Sequence, residues 1–268
     1  MLGFIIPFKS QRSTSDWEKD NLLLKNTVDS LLNQSSPDYI IYVVYTDAPL
    51  YLQQSGKIRL LQSPFPYLSY HEMSLPPDVI DFHKSETMVE KRLDKGKKIT
   101  YGSKIAKEDG CSYLMAVDAD DLVSDKVAAF VAANASQQKE AGWYIPEGYV
   151  FNRNTNTLLK HHSLHFFNGS THIIKAAYVP VPSFDTAGFH DYSFFTAHGW
   201  LIYRVKELYG KALEPLPFPA VIYVVHDNNI SNVNEVVFGK TIRNQLKKII
   251  FRKKIKSSVI KEFSIPKA

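Results

Sequence analysis

Short apolar runs alternate with helical patterns through the first half of this 268-residue chain, and that alternation restricts the fold more than any other feature. Continuous apolar runs, typical of parallel strands buried on both faces, predict strands at 2–8, 39–45, 58–61 and 113–117. Apolar residues at helical spacing predict helices at 16–34, 85–108 and 125–138, with a candidate break at Gly96. Such repetition implies right-handed crossovers and a doubly wound, mostly parallel α/β sheet, whose ligands bind beyond the carboxyl ends of the strands.

The pattern changes after residue 140, where the expected strands at 143–151, 170–177 and 220–225 are separated by loops without helices. These strands are expected to add mixed or antiparallel pairings to the sheet. We expect one α/β domain over residues 1–238, followed by a basic amphipathic tail over residues 239–268.

Composition places the chain among globular proteins, since 44% of its residues are hydrophobic and 22% are charged. Cys111 is the only cysteine, which excludes an internal disulfide and a four-thiolate zinc site and fits a reducing compartment. The first residues lack the basic region of a signal peptide, and no stretch approaches the roughly 18 apolar residues of a membrane span. We therefore expect a cytoplasmic protein that is either soluble or peripheral at the inner face of a membrane.

An acidic segment follows the expected strand at 113–117 directly, at the edge where a ligand should bind. It contains Asp118, Asp120 and Asp121. Three carboxylates this close repel one another unless a cation lies between them, and Mg²⁺ or Mn²⁺ prefers such oxygen ligands. The alternative is an Asp-rich turn that caps the following helix.

Several features together resemble a GT-A glycosyltransferase, with the greatest likeness to the inverting family-2 enzymes. They are a strand ending in Pro7, a helix closing with residues 30–34, a strand ending in Asp47, and the sequence Asp-Ala-Asp-Asp at 118–121. The likeness covers about the first 125 residues well. It implies a Rossmann-like nucleotide-binding half and a metal-dependent enzyme. Such an enzyme moves a sugar from a nucleotide-diphosphate donor to an acceptor hydroxyl, with inversion.

The resemblance also implies roles for individual residues. Asp120 would bind Mn²⁺ or Mg²⁺, and Asp118 would contact the ribose or the water shell of the metal. Asp47 would accept a hydrogen bond from the base. His226, after the last expected strand of the domain, is a candidate metal ligand through a neutral imidazole. The remaining candidates for nucleotide contact are Pro7, Phe8, Lys9, Asp94, Lys95 and Lys98.

A general base must deprotonate the acceptor hydroxyl, and a carboxylate after a loop is expected to do so. In the sequence Gly-Phe-His-Asp-Tyr at 188–192, His190 stands where the family usually has Glu, and Asp191 is the candidate base. Asp185 remains the alternative. Gly169 and Ser170 are expected to shape a loop bordering the acceptor site.

Three other functions were compared with this one. A nucleotidyltransferase would need a Gly-rich phosphate loop after the first strand, and residues 9–14 contain no glycine. A phosphohydrolase with Asp118 as nucleophile would usually carry its motif on the first strand, with Thr or Val in place of Leu122. A non-catalytic sugar-nucleotide-binding protein would be favoured by loss of the acidic segment, which is intact.

The tail suggests a second partner. Residues 240–261 contain nine basic residues and no acid, and the rest of the chain has 23 basic against 27 acidic residues. Apolar residues recur at helical spacing among these charges, as in a helix that lies on an anionic membrane. A lipid-linked acceptor would be found at such a membrane. The acceptor is therefore expected to be either a saccharide or lipid-linked. The alternative to a membrane helix is a C-terminal helix that packs its apolar stripe on the domain. Nucleic acid is not expected, because aromatic residues for base stacking are nearly absent. The stripe consists of Ile242, Leu246, Ile249, Ile250, Val259, Ile260 and Phe263.

Overall fold

Two β-sheets organise the chain in this computed structural model, which describes residues 1–76, 79, 85–153, 156–225 and 255–266. The strands of the described part are β1 (Leu2–Pro7), β2 (Tyr39–Tyr45), β3 (Ile58–Gln62), β4 (Tyr113–Ala116), β5 (Leu122–Val123), β6 (Gly142–Tyr144), β7 (Gly148–Asn152), β8 (Thr157–His161), β9 (His172–Lys175), β10 (Leu213–Pro215) and β11 (Val221–Val225). The α-helices of the described part are α1 (Trp17–Leu32), α2 (Glu86–Glu108), α3 (Val127–Asn134), α4 (Leu201–Tyr209) and α5 (Ser257–Glu262).

The larger sheet has the strand order β10-β6-β9-β4-β1-β2-β3. Strands β4, β1, β2 and β3 are parallel, whereas β9 runs antiparallel to both β4 and β6. Because Leu2 lies opposite both Tyr39 and Tyr113, the carboxyl ends of β1, β2 and β4 meet at one edge of the sheet. The expected fold class, a mostly parallel α/β sheet with antiparallel additions, is confirmed.

Helices cover both faces of this sheet, as in a doubly wound fold. One face packs against α1 and α3, which contribute Leu24, Val28, Val127 and Val131 to a buried core. The other face packs against α2 and α4, with Ile99, Ala106, Leu201 and Val205 in a second core. The near-continuous apolar strands follow from this burial on both sides.

The smaller sheet has the order β5-β11-β7-β8 and contains β11, which matches the strand expected at 220–225. The expectation of a single strand over 143–151 is wrong, because β6 and β7 fall in different sheets. Pro146 lies between them, and proline cannot donate a ladder hydrogen bond. The sequence patterns also left β5, β8, β10 and α4 unassigned.

Helix α2 runs without a break through Gly96, so the expected interruption is wrong. The glycine is explained by packing instead. A β-carbon at this position would lie 2.2 Å from the carbonyl oxygen of Tyr192, so only glycine lets that turn approach the helix so closely.

The end of the basic tail packs on the smaller sheet. Phe263 and Ile265 are buried against Leu122, Phe151 and Ile222. The residues of the tail up to 254, including most of the expected apolar stripe, lie outside the described residues. Among the helices of the described ranges, none is long and apolar enough to cross a membrane.

We expect Phe263→Ala to lower the free energy of unfolding by about 3 kcal/mol, since it removes a fully buried aromatic ring. Ile260→Ala on the same helix is the matched control, because Ile260 is exposed, and it should cost less than about 1 kcal/mol. Urea denaturation followed by circular dichroism measures both. Equal effects would show that this segment does not dock as described.

A candidate active site at the carboxyl ends of the parallel strands

The loop after β1 is held by the end of β2. The Asp47 carboxylate accepts hydrogen bonds from the hydroxyl of Ser10 and from the backbone N–H of Gln11, both at 2.7 Å. Lys9 forms an ion pair of 2.9 Å with the buried Asp20. Asp47 and Lys9 therefore lie at the expected edge and shape the loop that borders it; their contact with a nucleotide stays a prediction.

Pro7 is the last residue of β1 and Phe8 follows it, and both lie in the core. Both side chains are buried, and the Phe8 ring packs against Trp17 with centroids 4.8 Å apart. The backbone N–H of Phe8 donates to Val44. A ligand beside these residues would meet backbone and the neighbouring loop rather than their side chains.

A buried ion pair braces the same strand end against α2. The Lys98 ammonium donates to the carbonyl oxygen of Phe8 and to the Asp94 carboxylate, each at 2.7 Å. Burial lowers the pKa of Lys98 and raises the pKa of Asp94, while each charge favours the ionised form of the other. Lys98 is 1% exposed, so in this structure its ammonium fixes the β1 end rather than facing solvent.

Asp118 forms the ionic centre of the site with Lys95. The ammonium lies 2.5 Å from a carboxylate oxygen, and both side chains are about one quarter exposed. Gly169 closes over this pair: a β-carbon there would lie 2.9 Å from the Asp118 carboxylate and 3.1 Å from the Lys95 ammonium. Asp118 and Lys95 are predicted separately from the sequence, and the structure shows that they are in contact.

Asp121 has a different position from its neighbours because its side chain is fully buried. One carboxylate oxygen accepts from the Ser170 hydroxyl at 2.5 Å and from the Asn168 amide at 2.7 Å. The Ser170 hydroxyl oxygen in turn accepts the backbone N–H of Asp118 at 2.8 Å. Burial raises the pKa of Asp121 well above its usual value, and the carboxylates of Asp120 and Asp118 add to the rise. Asp121 therefore ties the acidic segment to the loop at 168–171.

The acidic segment offers hard oxygen donors of the kind that Mg²⁺ or Mn²⁺ takes, together with substrate phosphates. Within the described ranges, no group of three or more His, Cys, Asp or Glu side chains is placed to hold a metal ion by itself. Asp118 and Asp120 nevertheless fit a site in which one or two carboxylates share the ion with a diphosphate. His226, the other predicted ligand, lies outside the described residues.

His198 lies within electrostatic range of the Asp118–Lys95 pair, and His172 lies near His198. Burial lowers the pKa of His198 to about 4, with a further contribution from Lys95, while Asp118 opposes the shift. Burial also lowers the pKa of His172 to about 3, and the neighbouring His198 and His165 add to that shift. These rings are therefore neutral at physiological pH.

The candidate bases lie on a loop that packs against α2. Asp191 is exposed in a short 3₁₀ helix (Phe189–Tyr192), where its carboxylate accepts the backbone N–H of Gly188 at 2.8 Å. The next residue, Tyr192, is buried with its carbonyl against Gly96, one position from Lys95. Asp185 is also exposed, beside Phe184. Both assignments stay predictions, and the packing places the Asp191 turn next to the Lys95 turn of α2.

Sequence reasoning missed Asn168 and His198 in this site. Gly169 and Ser170 lie against the acidic segment itself, and their expected place beside an acceptor stays a prediction. The signal was present: Asn-Gly-Ser is a turn sequence before an expected strand. Because β9 runs antiparallel to β4, the residues before β9 must lie beside the carboxyl end of β4.

Comparison with known proteins gives similarity only among solved structures, since no protein-family model and no curated protein matches the sequence. S. aureus TarS 1-349 is similar with a TM-score of 0.44 and 12% identity over 98% of this chain and 72% of that chain. Its complex with UDP-GlcNAc gives a TM-score of 0.44 and 12% identity over 98% and 73% of the two chains. A structure from Desulfovibrio desulfuricans G20, assigned provisionally to the nucleotide-diphospho-sugar transferases, gives 0.33 and 11% over 92% and 93%.

We expect the stability of the protein to fall as the pH is lowered from about 6.5 toward 3, in part because of His172. The unfolded chain binds a proton at this ring near pH 6.5, whereas the folded ring binds one only near pH 3. Between these two pH values, the free energy of unfolding falls by about 1.4 kcal/mol per pH unit for each such group.

His172→Gln should flatten this dependence between pH 7.5 and about 5 when the free energy of unfolding is measured by urea denaturation. His71→Gln, at a side chain that is 83% exposed, is the control and should keep the wild-type slope. Identical slopes in all three proteins would contradict the assignment of the shift to His172.

Proposed function

We propose that this protein is a glycosyltransferase that moves a sugar from a nucleotide-diphosphate donor to an acceptor hydroxyl, with inversion at the anomeric carbon. The observation that carries the proposal is the Asp118–Lys95 pair at the carboxyl ends of the parallel strands. A ligand with both a ribose and a diphosphate offers a partner to each charge: the phosphate to Lys95, and the ribose hydroxyls or a bound cation to Asp118.

The donor would lie along the edge formed by the ends of β1, β2 and β4. Asp47, at the end of β2, is proposed to accept a hydrogen bond from the base. Pro7, Phe8 and Lys9 would border the nucleotide through the loop that Asp47 holds. Asp94 and Lys98 support this arrangement, since their buried pair fixes the carbonyl of Phe8.

We propose that Asp120 binds Mn²⁺ or Mg²⁺, with Asp118 acting directly or through water and His226 as a further ligand. When bound, the metal supplies positive charge to stabilise the diphosphate as it leaves. Lys95 supplies charge of the same sign from the protein. Preorganised charge of this kind needs no rearrangement at the moment of reaction.

Asp191 is proposed as the general base, with Asp185 as the alternative. In the step, the acceptor oxygen bonds to the anomeric carbon, the bond from that carbon to the diphosphate breaks, and the hydroxyl proton passes to the Asp191 carboxylate. Asp191 is exposed on a turn that packs against Gly96 of α2, which leaves room for an acceptor. A non-catalytic binding protein would not need this base.

Peripheral attachment to an anionic membrane is proposed for the basic tail, where an acceptor could be lipid-linked. Phe263, which was counted in the apolar stripe, is buried against the smaller sheet. Membrane contact would therefore come from the basic residues between 240 and 256.

Asp120→Asn should abolish most of the Mn²⁺-dependent binding of a nucleotide, because the amide lacks the charge that holds the ion. UDP, which S. aureus TarS holds in a crystal structure, is the first nucleotide to test. A ligand at 100 times its dissociation constant stabilises a fold by about 2.7 kcal/mol, which a thermal-shift measurement detects. Asp29→Asn, at a side chain of α1 that is 45% exposed, is the isosteric control. Unchanged metal-dependent binding in Asp120→Asn would exclude Asp120 as a metal ligand. The same measurement can be made with CDP sugars and GDP sugars.

Asp191→Asn should reduce turnover by roughly 10² to 10⁴-fold, the usual contribution of a positioned general base. Donor affinity should change little, because the base faces the acceptor. Asp185→Asn is the matched comparison on the same loop. If Asp185→Asn removes turnover while Asp191→Asn retains it, Asp185 is the base.

A further inference from the structure

Three aromatic side chains next to the candidate site face solvent. Phe166 is 53% exposed, Trp200 69% and Tyr203 58%, although rings of this size usually contribute to a core. The Trp200 and Tyr203 rings lie with centroids 5.8 Å apart. We name these three residues the aromatic patch.

The patch draws its residues from two segments that are distant in sequence and pack against each other. Phe166 ends the short helix Leu164–Phe166, and Trp200 ends the short helix His198–Trp200. The two turns pack closely, since a β-carbon at Gly199 would lie 3.0 Å from the carbonyl oxygen of Phe166. Exposed aromatic surface brought together in this way marks a binding surface more often than an accident of packing.

The same two turns connect the patch to the ionic centre of the site. His198 precedes Gly199 and lies within electrostatic range of Lys95 and Asp118. Two residues after Phe166, Asn168 binds the Asp121 carboxylate. A molecule on the patch would therefore lie beside the place where the donor is proposed to bind.

The chemistry of the patch fits a sugar ring. A pyranose has a face of C–H groups that packs on an aromatic ring, while its hydroxyl groups lie at the rim and need hydrogen-bond partners. Tyr203 carries a hydroxyl and Trp200 an indole N–H, so each offers an apolar face with a polar edge. His198 is partly exposed beside them and is a third hydrogen-bonding group.

We propose that Phe166, Trp200 and Tyr203 form the surface on which the acceptor binds, and that this acceptor is a saccharide. That the bound molecule is the acceptor rests on the proposed function, whereas its identity as a saccharide rests on the patch alone. The anionic membrane is the competing occupant, because Trp and Tyr also favour the interface of a bilayer.

The test uses the full-length protein on an array of neutral and acidic oligosaccharides, with and without UDP and Mn²⁺. Wild-type protein should be retained by at least one glycan. Trp200→Ala should weaken that binding about tenfold or more, since a lost stacking contact and its buried area together exceed about 1.4 kcal/mol. Trp200→Phe and Tyr203→Phe should keep most of the binding, because they keep a ring.

Leu208→Ala is the matched control, since Leu208 is also exposed, at 57%, and lies on helix α4 with Tyr203. It should behave as the wild type. A second readout is the quenching of tryptophan fluorescence by acrylamide. Trp200 is the most exposed of the three tryptophans, as Trp143 is 4% exposed and Trp17 partly buried, so a bound glycan should reduce the quenching.

The outcomes separate this inference from the proposed function. Retention of no glycan, or retention that is equal in Trp200→Ala, overturns the inference even if nucleotide binding is found. Glycan binding that depends on Trp200, in a protein that binds no nucleotide, upholds the saccharide surface and removes the donor assignment. Sedimentation with phosphatidylglycerol vesicles that depends on Trp200, without retention of a glycan, assigns the patch to the membrane and overturns the inference.

Discussion

The candidate site depends on one buried carboxylate. Asp121 is fully enclosed, and a charge in such a place is costly unless hydrogen bonds compensate for the water that it loses. Asn168 and Ser170 donate hydrogen bonds to one of its two oxygens, and the Ser170 hydroxyl oxygen also accepts the backbone N–H of Asp118. The other oxygen has no hydrogen-bond partner among the described residues. Removing one partner would leave the carboxylate less compensated, so the acidic segment and the loop before β9 stay together.

Three acidic residues close in sequence thereby acquire different tasks. Asp121 is buried and holds the loop, whereas Asp118 is partly exposed and paired with Lys95. A β-carbon at position 169 would lie against both charges, so a side chain there would displace the pair. The difference between Asp121 and Asp118 follows from burial rather than from residue type.

Much of the fold could be predicted because each buried strand of the parallel half is apolar along its whole length. The order of strands in the sequence also predicts that Asp47 and Asp118 lie at one edge. What the sequence could not show was that β9 pairs with β4, because pairing between distant segments leaves no local periodicity. Without that pairing, the contact of residues 168–170 with Asp118 could not be predicted. The split between β6 and β7 was missed because aromatic residues lie on both sides of the turn at Pro146.

The charges of the site also show why its histidines are neutral. Lys95 and Arg92 lie near His198, and like charges disfavour a proton on the ring beyond the effect of burial. A neutral imidazole both donates and accepts a hydrogen bond, whereas a protonated one only donates. Positive charge beside His198 thus lies on Lys95 and Arg92 rather than on the ring. The turns at 164–166 and 198–200 instead present neutral rings. Under the proposed function, electrostatics would direct a charged donor to Lys95, whereas stacking would hold a saccharide on the aromatic patch, so the two would occupy adjacent surfaces.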